Sequence, residues 1–516
     1  MPFSWRVIAT LSVVWAVAIG SVRVEAQAED ETVAEPPESD PAESASESES
    51  AAESESESAS ASESASASES ESASASESAS PSASESASES DPDGPTLPER
   101  ELPDYDGRGE RPRTAGDIAL WVPRILLFPA WFVAEYLIRR PLAFLISGAE
   151  EKEIPDRIVS FFTFGPGGNV ALAPSFSFDF GFRPNIGLYF RYNEFIREQF
   201  QLRAGASFGG EDWLAGSVAF RVAPKNGDTE FSIGASYNRR PDWLFFGLGS
   251  NVDRSNRSRY DWVSYEGTMS LRQRLVRQST FSVGVTVADR SFGDDIIDGA
   301  YSVEERANAG QIELPPGYEG YTIMLQTAQL VLDNRRGRPA PGSGFRFEAQ
   351  YELGFDLQDG PQRNLWVTWA TSIGAYLDLS DHQHVVSLTF SLISAEALSG
   401  NVPFRELPNL SGNGPMRGFV NRFLAGSSGA ALLLRYDWPV WMWLDGTIQV
   451  AVGNVYDERF AGLSPGNTRL SAGIGLAAVN QRDHFFEFLV GFGTETFENG
   501  AKVESFRFLF GGTQNF

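Results

Sequence analysis

The chain has 516 residues, 42% of them hydrophobic, a formal net charge of −28 and no cysteine. The missing cysteine excludes disulfides, thiolate metal sites and lipid attachment at an N-terminal cysteine. Residues 27–93 hold 20 acidic residues and no Lys or Arg, so −28 less −20 leaves −8 for everything else, and no basic face argues for nucleic acid.

Residues 1–28 read as a secretory signal peptide. Arg6 gives the positive start, Val7 to Ile19 the apolar run, and Ala26-Gln27-Ala28 or Val24-Glu25-Ala26 the small-residue cleavage site. Residues 29–114 read as a disordered acidic linker. Near-repeats such as Ser44-Ala45-Ser46-Glu47-Ser48-Glu49 bury too little apolar surface to offset ordering, and their charges repel. A periplasmic partner for this linker is the functional alternative to a plain solvated tether. Residues 115–150 carry an apolar run with Trp121, Leu126, Phe128, Trp131, Phe132 and Tyr136. It is interrupted by Pro123, Arg124, Pro129 and Glu135 and closed by Arg139 and Arg140. Those prolines and charges argue against a membrane span. The segment is expected to be an amphipathic helix, either at the membrane interface or plugging a barrel.

From about residue 169 the apolar period becomes two. Phe345, Phe347, Ala349, Tyr351, Leu353 and Phe355 alternate with Arg346, Glu348, Gln350, Glu352, Gly354 and Asp356. An apolar exterior facing small and charged partners is the pattern of a transmembrane β-barrel. Strands are expected at 169–180, 184–194, 198–209, 211–223, 229–249, 258–274, 278–290 and 320–333. Eight more follow at 343–357, 363–379, 382–396, 427–438, 442–456, 467–478, 482–494 and 501–511. The fold class is therefore all-β, a 16-stranded antiparallel transmembrane β-barrel over 165–516. The count rises by one if 229–249 splits at Pro241. An even count places both barrel ends on the periplasmic side of a bacterial outer membrane. The long connections 291–319 and 397–426 then start from the outer rim.

Leu410-Ser411-Gly412-Asn413-Gly414-Pro415-Met416-Arg417-Gly418-Phe419 resembles the loop signature of the bacterial surface antigen superfamily, the outer-membrane assembly barrels of BamA/TamA type. Met416 stands where that family has Val or Ile. Asp333-Asn334-Arg335 with Gly342-Ser343-Gly344, Phe245-Phe246-Gly247-Leu248-Gly249 and Gly453-Asn454-Val455-Tyr456 resemble further family elements. The terminal strand with Phe506, Phe508, Phe510 and Phe516 resembles those read by the barrel-assembly machinery. The resemblance spans about 245–516. It implies insertion, translocation or lipid handling at the cell outer membrane, with outer-membrane lipid and the assembly machinery as partners. Nothing between residues 27 and 168 reads as one of the family's periplasmic POTRA domains.

A guanidinium pairs well with an inward carboxylate, so Arg417 is expected to anchor its loop in the lumen beside Gly418 and Phe419. Leu432, Leu434, Tyr436 and Trp438 face lipid by alternation. That leaves Arg435 and Asp437 inside, with Asp437 as the expected partner of Arg417. The resemblance implies Asp where this chain has Ala451. No nucleophile elbow is present. His382, His384 and His484 are read as ordinary turn and strand residues rather than a metal or hydrolase site, so neither enzymatic activity nor a cofactor is expected. The alternative function is a passive or gated diffusion channel, plugged by residues 115–148 or by the loop 397–426.

Overall fold

The computed structural model describes residues 160–514 apart from 225–226, 298, 336–341, 359–362, 380–382, 442–443 and 479–483, together with Phe128, Phe132, Glu135, Tyr136, Arg139, Arg140 and Pro141. The expected signal peptide, the acidic linker and most of 115–150 lie outside the described residues. The seven upstream residues have helical conformation. Arg139 pairs with Glu135 at 3.0 Å, and Phe132 stacks on Tyr136 at 4.8 Å.

Sixteen antiparallel strands close into a ring. The first eight are β1 (Val170–Asp179), β2 (Asn185–Asn193), β3 (Phe200–Phe208), β4 (Leu214–Val222), β5 (Thr229–Arg239), β6 (Ser258–Arg274), β7 (Thr280–Gly293) and β8 (Tyr321–Asp333). The others are β9 (Gly344–Asp356), β10 (Leu365–Asp378), β11 (Val385–Ser399), β12 (Ser428–Trp441), β13 (Leu444–Tyr456), β14 (Arg469–Ala478), β15 (His484–Thr496) and β16 (Val503–Gln514). Each expected segment overlaps one of them. Closure follows from the solvent: a strand edge in lipid leaves amide and carbonyl groups that no water can satisfy.

The alternation on β9 sets its two faces. Phe345 and Tyr351 are 64% and 45% exposed, whereas Glu348 and Glu352 on the same strand are 9% and 5% exposed. Leu188, Phe208, Met269, Ile373 and Leu432 continue the apolar exterior around the ring. This is the inverse of a water-soluble protein, and it is a transmembrane β-barrel.

Two expectations need correction. The segment 229–249 is not one strand. Arg240 makes the last rung of β5, donating to Trp262 O at 2.7 Å. Pro241 has no N–H to continue the ladder. Trp243–Phe245 then forms a short separate strand on the start of β6, so the ring still holds sixteen. On β12, Leu432 and Leu434 face outward as expected. Tyr436 and Trp438, however, are 5% and 1% exposed and pack with Leu379, Val440 and Leu444. Trp438 lies flat over Gly446, where a Cβ would come within 2.2 Å of its ring.

The main core sits within one end of the ring. The connections 240–257, 294–320 and 400–427 all leave the end opposite to the start of β1 and the end of β16, and fold inward. Phe246, Val252, Val303, Tyr318, Phe404 and Phe419 bury one another there. One short helix, α1 (Val303–Asn308), opens with a capping box between Ser302 and Glu305.

Candidate functional site

The loop 400–427 crosses the barrel interior and is held at both ends by ion pairs. Its Arg417 meets Glu487 of β15 through two parallel contacts, Nη1 to Oε1 at 2.6 Å and Nη2 to Oε2 at 2.7 Å. This fork-on-carboxylate geometry fixes orientation as well as position. Gly418 N–H donates to Ser471 Oγ of β14 at 2.8 Å. A Cβ on Gly418 would sit 2.0 Å from the carbonyl oxygen of Phe492, so the loop backbone lies directly on the backbone of β15. Phe419 is fully buried over Gly493.

Asp437 is not the partner of Arg417. It pairs with Arg435, two residues away on its own strand, at 2.8 Å. The loop lands on β14 and β15 because the inward Gly491 and Gly493 of β15 carry no side chain and let Gly418 and Phe419 lie against the strand backbone. Ala451, where the resemblance implied Asp, is buried in the plug core.

The loop's other end is pinned by Glu406. It forms a buried ion pair with Arg290 of β7 and accepts from Tyr321 Oη of β8 at 2.8 Å. In a ring of sixteen, β7 lies eight strands from β15. The loop therefore ties opposite walls together. Arg405 strengthens this end, with its guanidinium 4.4 Å from the Trp243 ring centre and a 2.8 Å bond to Tyr260 Oη. Arg422, at positive φ of 62°, donates to Phe404 O at 2.5 Å. Burial lowers its guanidinium to about 10, so it stays charged at neutral pH.

Two of the other family-like motifs, 245–249 and 453–456, meet the same loop core, and the third lies at the opposite rim. Phe246 packs on Phe423 at 4.7 Å, and Gly249 N–H donates to Ala425 O at 2.8 Å. Asn454, fully buried, donates to Asn467 O at 2.8 Å and holds the β13–β14 connection. Arg469 donates to Val252 O at 2.8 Å while pairing with Glu504. Asp333 and Arg335 pair at 2.5 Å at that opposite rim, with Arg335 over Tyr376.

Beside the clamp lies the seam where β16 meets β1. Its ladder covers Leu509↔Asp179, Phe510↔Phe178 and Gly511↔Ser177, three residues. Every other neighbouring pair in the ring runs for eight or more. On the lipid face three phenylalanine pairs bridge it, Phe176–Phe510, Phe178–Phe508 and Phe180–Phe506, each with ring centres 6.0 Å apart. On the lumen face Arg507 grips Asp179 at 2.8 and 3.0 Å. The same guanidinium also donates to Gly412 O in the loop.

The predicted terminal phenylalanines Phe506, Phe508 and Phe510 thus form the outer side of the seam, while Phe516 lies outside the described residues. Glu487, Glu406, Arg290, Arg507 and Asp179 were not anticipated from sequence. Inward parity on an acidic or basic strand position was the sole signal for the four on strands, and Glu406, on the loop, carried none. His384 Nδ1 and Tyr436 Oη share a 2.8 Å bond. His382 lies outside the described residues.

The chain is a closed transmembrane barrel with a clamped internal loop. No family model and no curated protein match its sequence. Among solved structures it is similar to BamA from Haemophilus ducreyi lacking POTRA domains 1–3, at a TM-score of 0.47 and 15% identity over 66% of this chain and 70% of that one. It is also similar to CdiB from Acinetobacter baumannii, at 0.42 and 13% over 67% and 59%. CdiB from Escherichia coli gives 0.45 and 14% over 68% and 63%. The chain spans less than two thirds of either CdiB chain.

Proposed function

We propose that this chain is an outer-membrane barrel that assists the membrane insertion or translocation of other chains, or the handling of lipid, by parting its β1–β16 seam. The observation that carries the reading is the three-residue ladder at that seam. A net hydrogen bond contributes about 1 kcal/mol, so a ladder at least five rungs shorter than its neighbours is the weakest line in the wall. The clamp keeps opposite walls in place while that line parts. Outer-membrane lipid surrounds the barrel, and the barrel-assembly machinery reads the aromatic β16 during biogenesis. The even strand number and the expected signal peptide support the outer membrane as its location, with the acidic linker on the periplasmic side.

The test uses the absence of native cysteine. Phe178→Cys with Phe510→Cys places thiols on registered cross-seam partners, and the disulfide locks the wall. Quantitative proteomics of outer membranes is then compared between locked, wild-type and deletion cells, with lipid asymmetry assayed on the same cells. The locked strain is expected to match the deletion strain. A fully cross-linked seam with a wild-type inventory and lipid distribution would refute the reading.

A second reading is a gated diffusion channel. The inward-facing Arg191, Arg203, Arg221 and Arg272 on β2, β3, β4 and β6 favour it. Arg191 and Arg203 are direct cross-strand partners, and Glu230 contacts Arg221 at 3.8 Å. Such a wall favours anions. Anion-selective conductance in planar bilayers, persisting with the seam locked, would support this reading over the first.

A further inference from the structure

The half of the β1 edge nearest Val170 is not occupied by β16. It is occupied by the chain's own upstream segment. Thr163–Phe164 folds back and pairs antiparallel with β1, with Thr163 opposite Ala171 and Phe164 opposite Val170. The reversal is made by Gly165, Gly167 and Gly168, all at positive φ of 66–79°, around Pro166, and closes with Gly168 N–H donating to Gly165 O at 3.2 Å. Glycine adopts such φ at no steric cost.

This edge is the seam edge. Phe180 N–H donates across the seam to Phe508 O at 2.9 Å, and alternate residues of a strand aim their backbone groups the same way. Val170, Leu172, Pro174, Phe176 and Phe178 therefore all face the seam. Between the two ladders, residues 172–176 have no registered partner on this side among the described residues. Pro174 falls in the middle of that gap, where its missing N–H removes one donor from the exposed edge. Prolines on an edge strand blunt its capacity to recruit another strand.

We propose that Thr163–Phe164 is a removable cover for the half of the β1 edge nearest Val170. The backbone groups that hold it are those an extended segment of another chain would use, so cover and incoming strand compete for one ladder. This rests on the proposed parting of the seam, takes the freed β1 edge as the acceptor of an incoming strand, and adds its regulation. The cover spans two residues, whereas an incoming strand has the edge from 170 to 176 to pair with. The longer occupant wins once it is present. In its absence the cover and Pro174 protect the edge from adventitious pairing. Phe161 and Phe164, 72% and 52% exposed, supply apolar contacts that keep the cover at the lipid boundary rather than in water.

Thr163→Cys with Ala171→Cys tests this in the full-length barrel. By the alternation above Ala171 lies in a narrow, non-hydrogen-bonded pair, where facing side chains are closest and a disulfide fits. The probe is a synthetic peptide of residues 503–514 with benzophenone in place of Phe508, offered to the barrel in lipid vesicles. Photocapture is expected to fall about tenfold or more in the oxidised form relative to the reduced form, the scale of one or two hydrogen bonds. It should rise when residues 160–165 are deleted. Capture that occurs and is equal in oxidised and reduced barrels would overturn the cover. Amide exchange at Val170 judges the cover without any peptide. Deletion should accelerate it by about tenfold or more, and unchanged exchange overturns the proposal. If exchange responds but no form captures peptide, the cover stands and the strand-accepting reading fails.

Discussion

The pairing of Arg417 with Glu487 makes a quantitative claim. Both side chains are nearly buried, at 10% and 5% exposure, and meet through two short contacts. Glu487→Gln leaves Arg417 as a buried charge with no counter-charge, which costs about 3–5 kcal/mol for one-sided loss. Arg417→Met is expected to cost less, because Arg435 remains near Glu487. The double variant buries no uncompensated charge and should cost less than the sum of the two, giving a coupling of about 2 kcal/mol. Asp437→Asn is the control. Asp437 is satisfied by Arg435, so its coupling to Arg417 should fall below about 0.5 kcal/mol. Urea unfolding of the folded barrel in lipid vesicles measures these energies, and heat-dependent gel mobility gives a parallel ranking. Additive Arg417 and Glu487 variants, or equal coupling to Asp437, would refute the assigned clamp.

Gly418→Ala should lower heat resistance more than Arg417→Met, since its Cβ would meet the Phe492 carbonyl at 2.0 Å; equal melting would mean the loop sits off that wall. Glu406→Gln should free the opposite end, seen as faster proteolysis within 400–427 while β15 contacts persist; unchanged cleavage would argue against wall-to-wall tethering. Replacing 402–424 by a short Gly/Ser linker should raise single-channel conductance, because Phe404, Phe419 and Phe423 fill the core there; no change would remove the loop as a plug.

The strands were legible because period-two alternation is local: Phe345 to Phe355 needs no knowledge of its neighbours. The anchoring role of Arg417 was legible for a related reason, as a cation beside glycine in a loop needs a lumen carboxylate. Which carboxylate was not legible. Inward parity on β12 and the family resemblance single out Asp437, yet the deciding feature is the pair Gly491 and Gly493 on β15, visible once strands are in register. The seam joins Asp179 to Arg507, a pairing set by barrel closure that no local pattern encodes. The fold-back of Thr163–Phe164 was missed for the opposite reason: a two-residue strand has no periodicity to detect.

Arg507 is the point where clamp and seam become one system. Its guanidinium holds Asp179 across the seam and reaches Gly412 O and, at 3.5 Å, Arg417 O in the loop. A loop displaced from the wall takes away part of what orients Arg507, so Asp179 loses a fixed partner and the seam weakens. Linkage requires the reverse with the same free energy: a parted seam must loosen the loop. Arg507→Gln therefore has a double signature. It should accelerate Phe178→Cys/Phe510→Cys exchange with external thiol, and it should also raise protease access to 410–420. Arg417→Met should move the same two readouts in the same direction. Seam and loop responding separately would mean that Arg507 merely packs between two independent features.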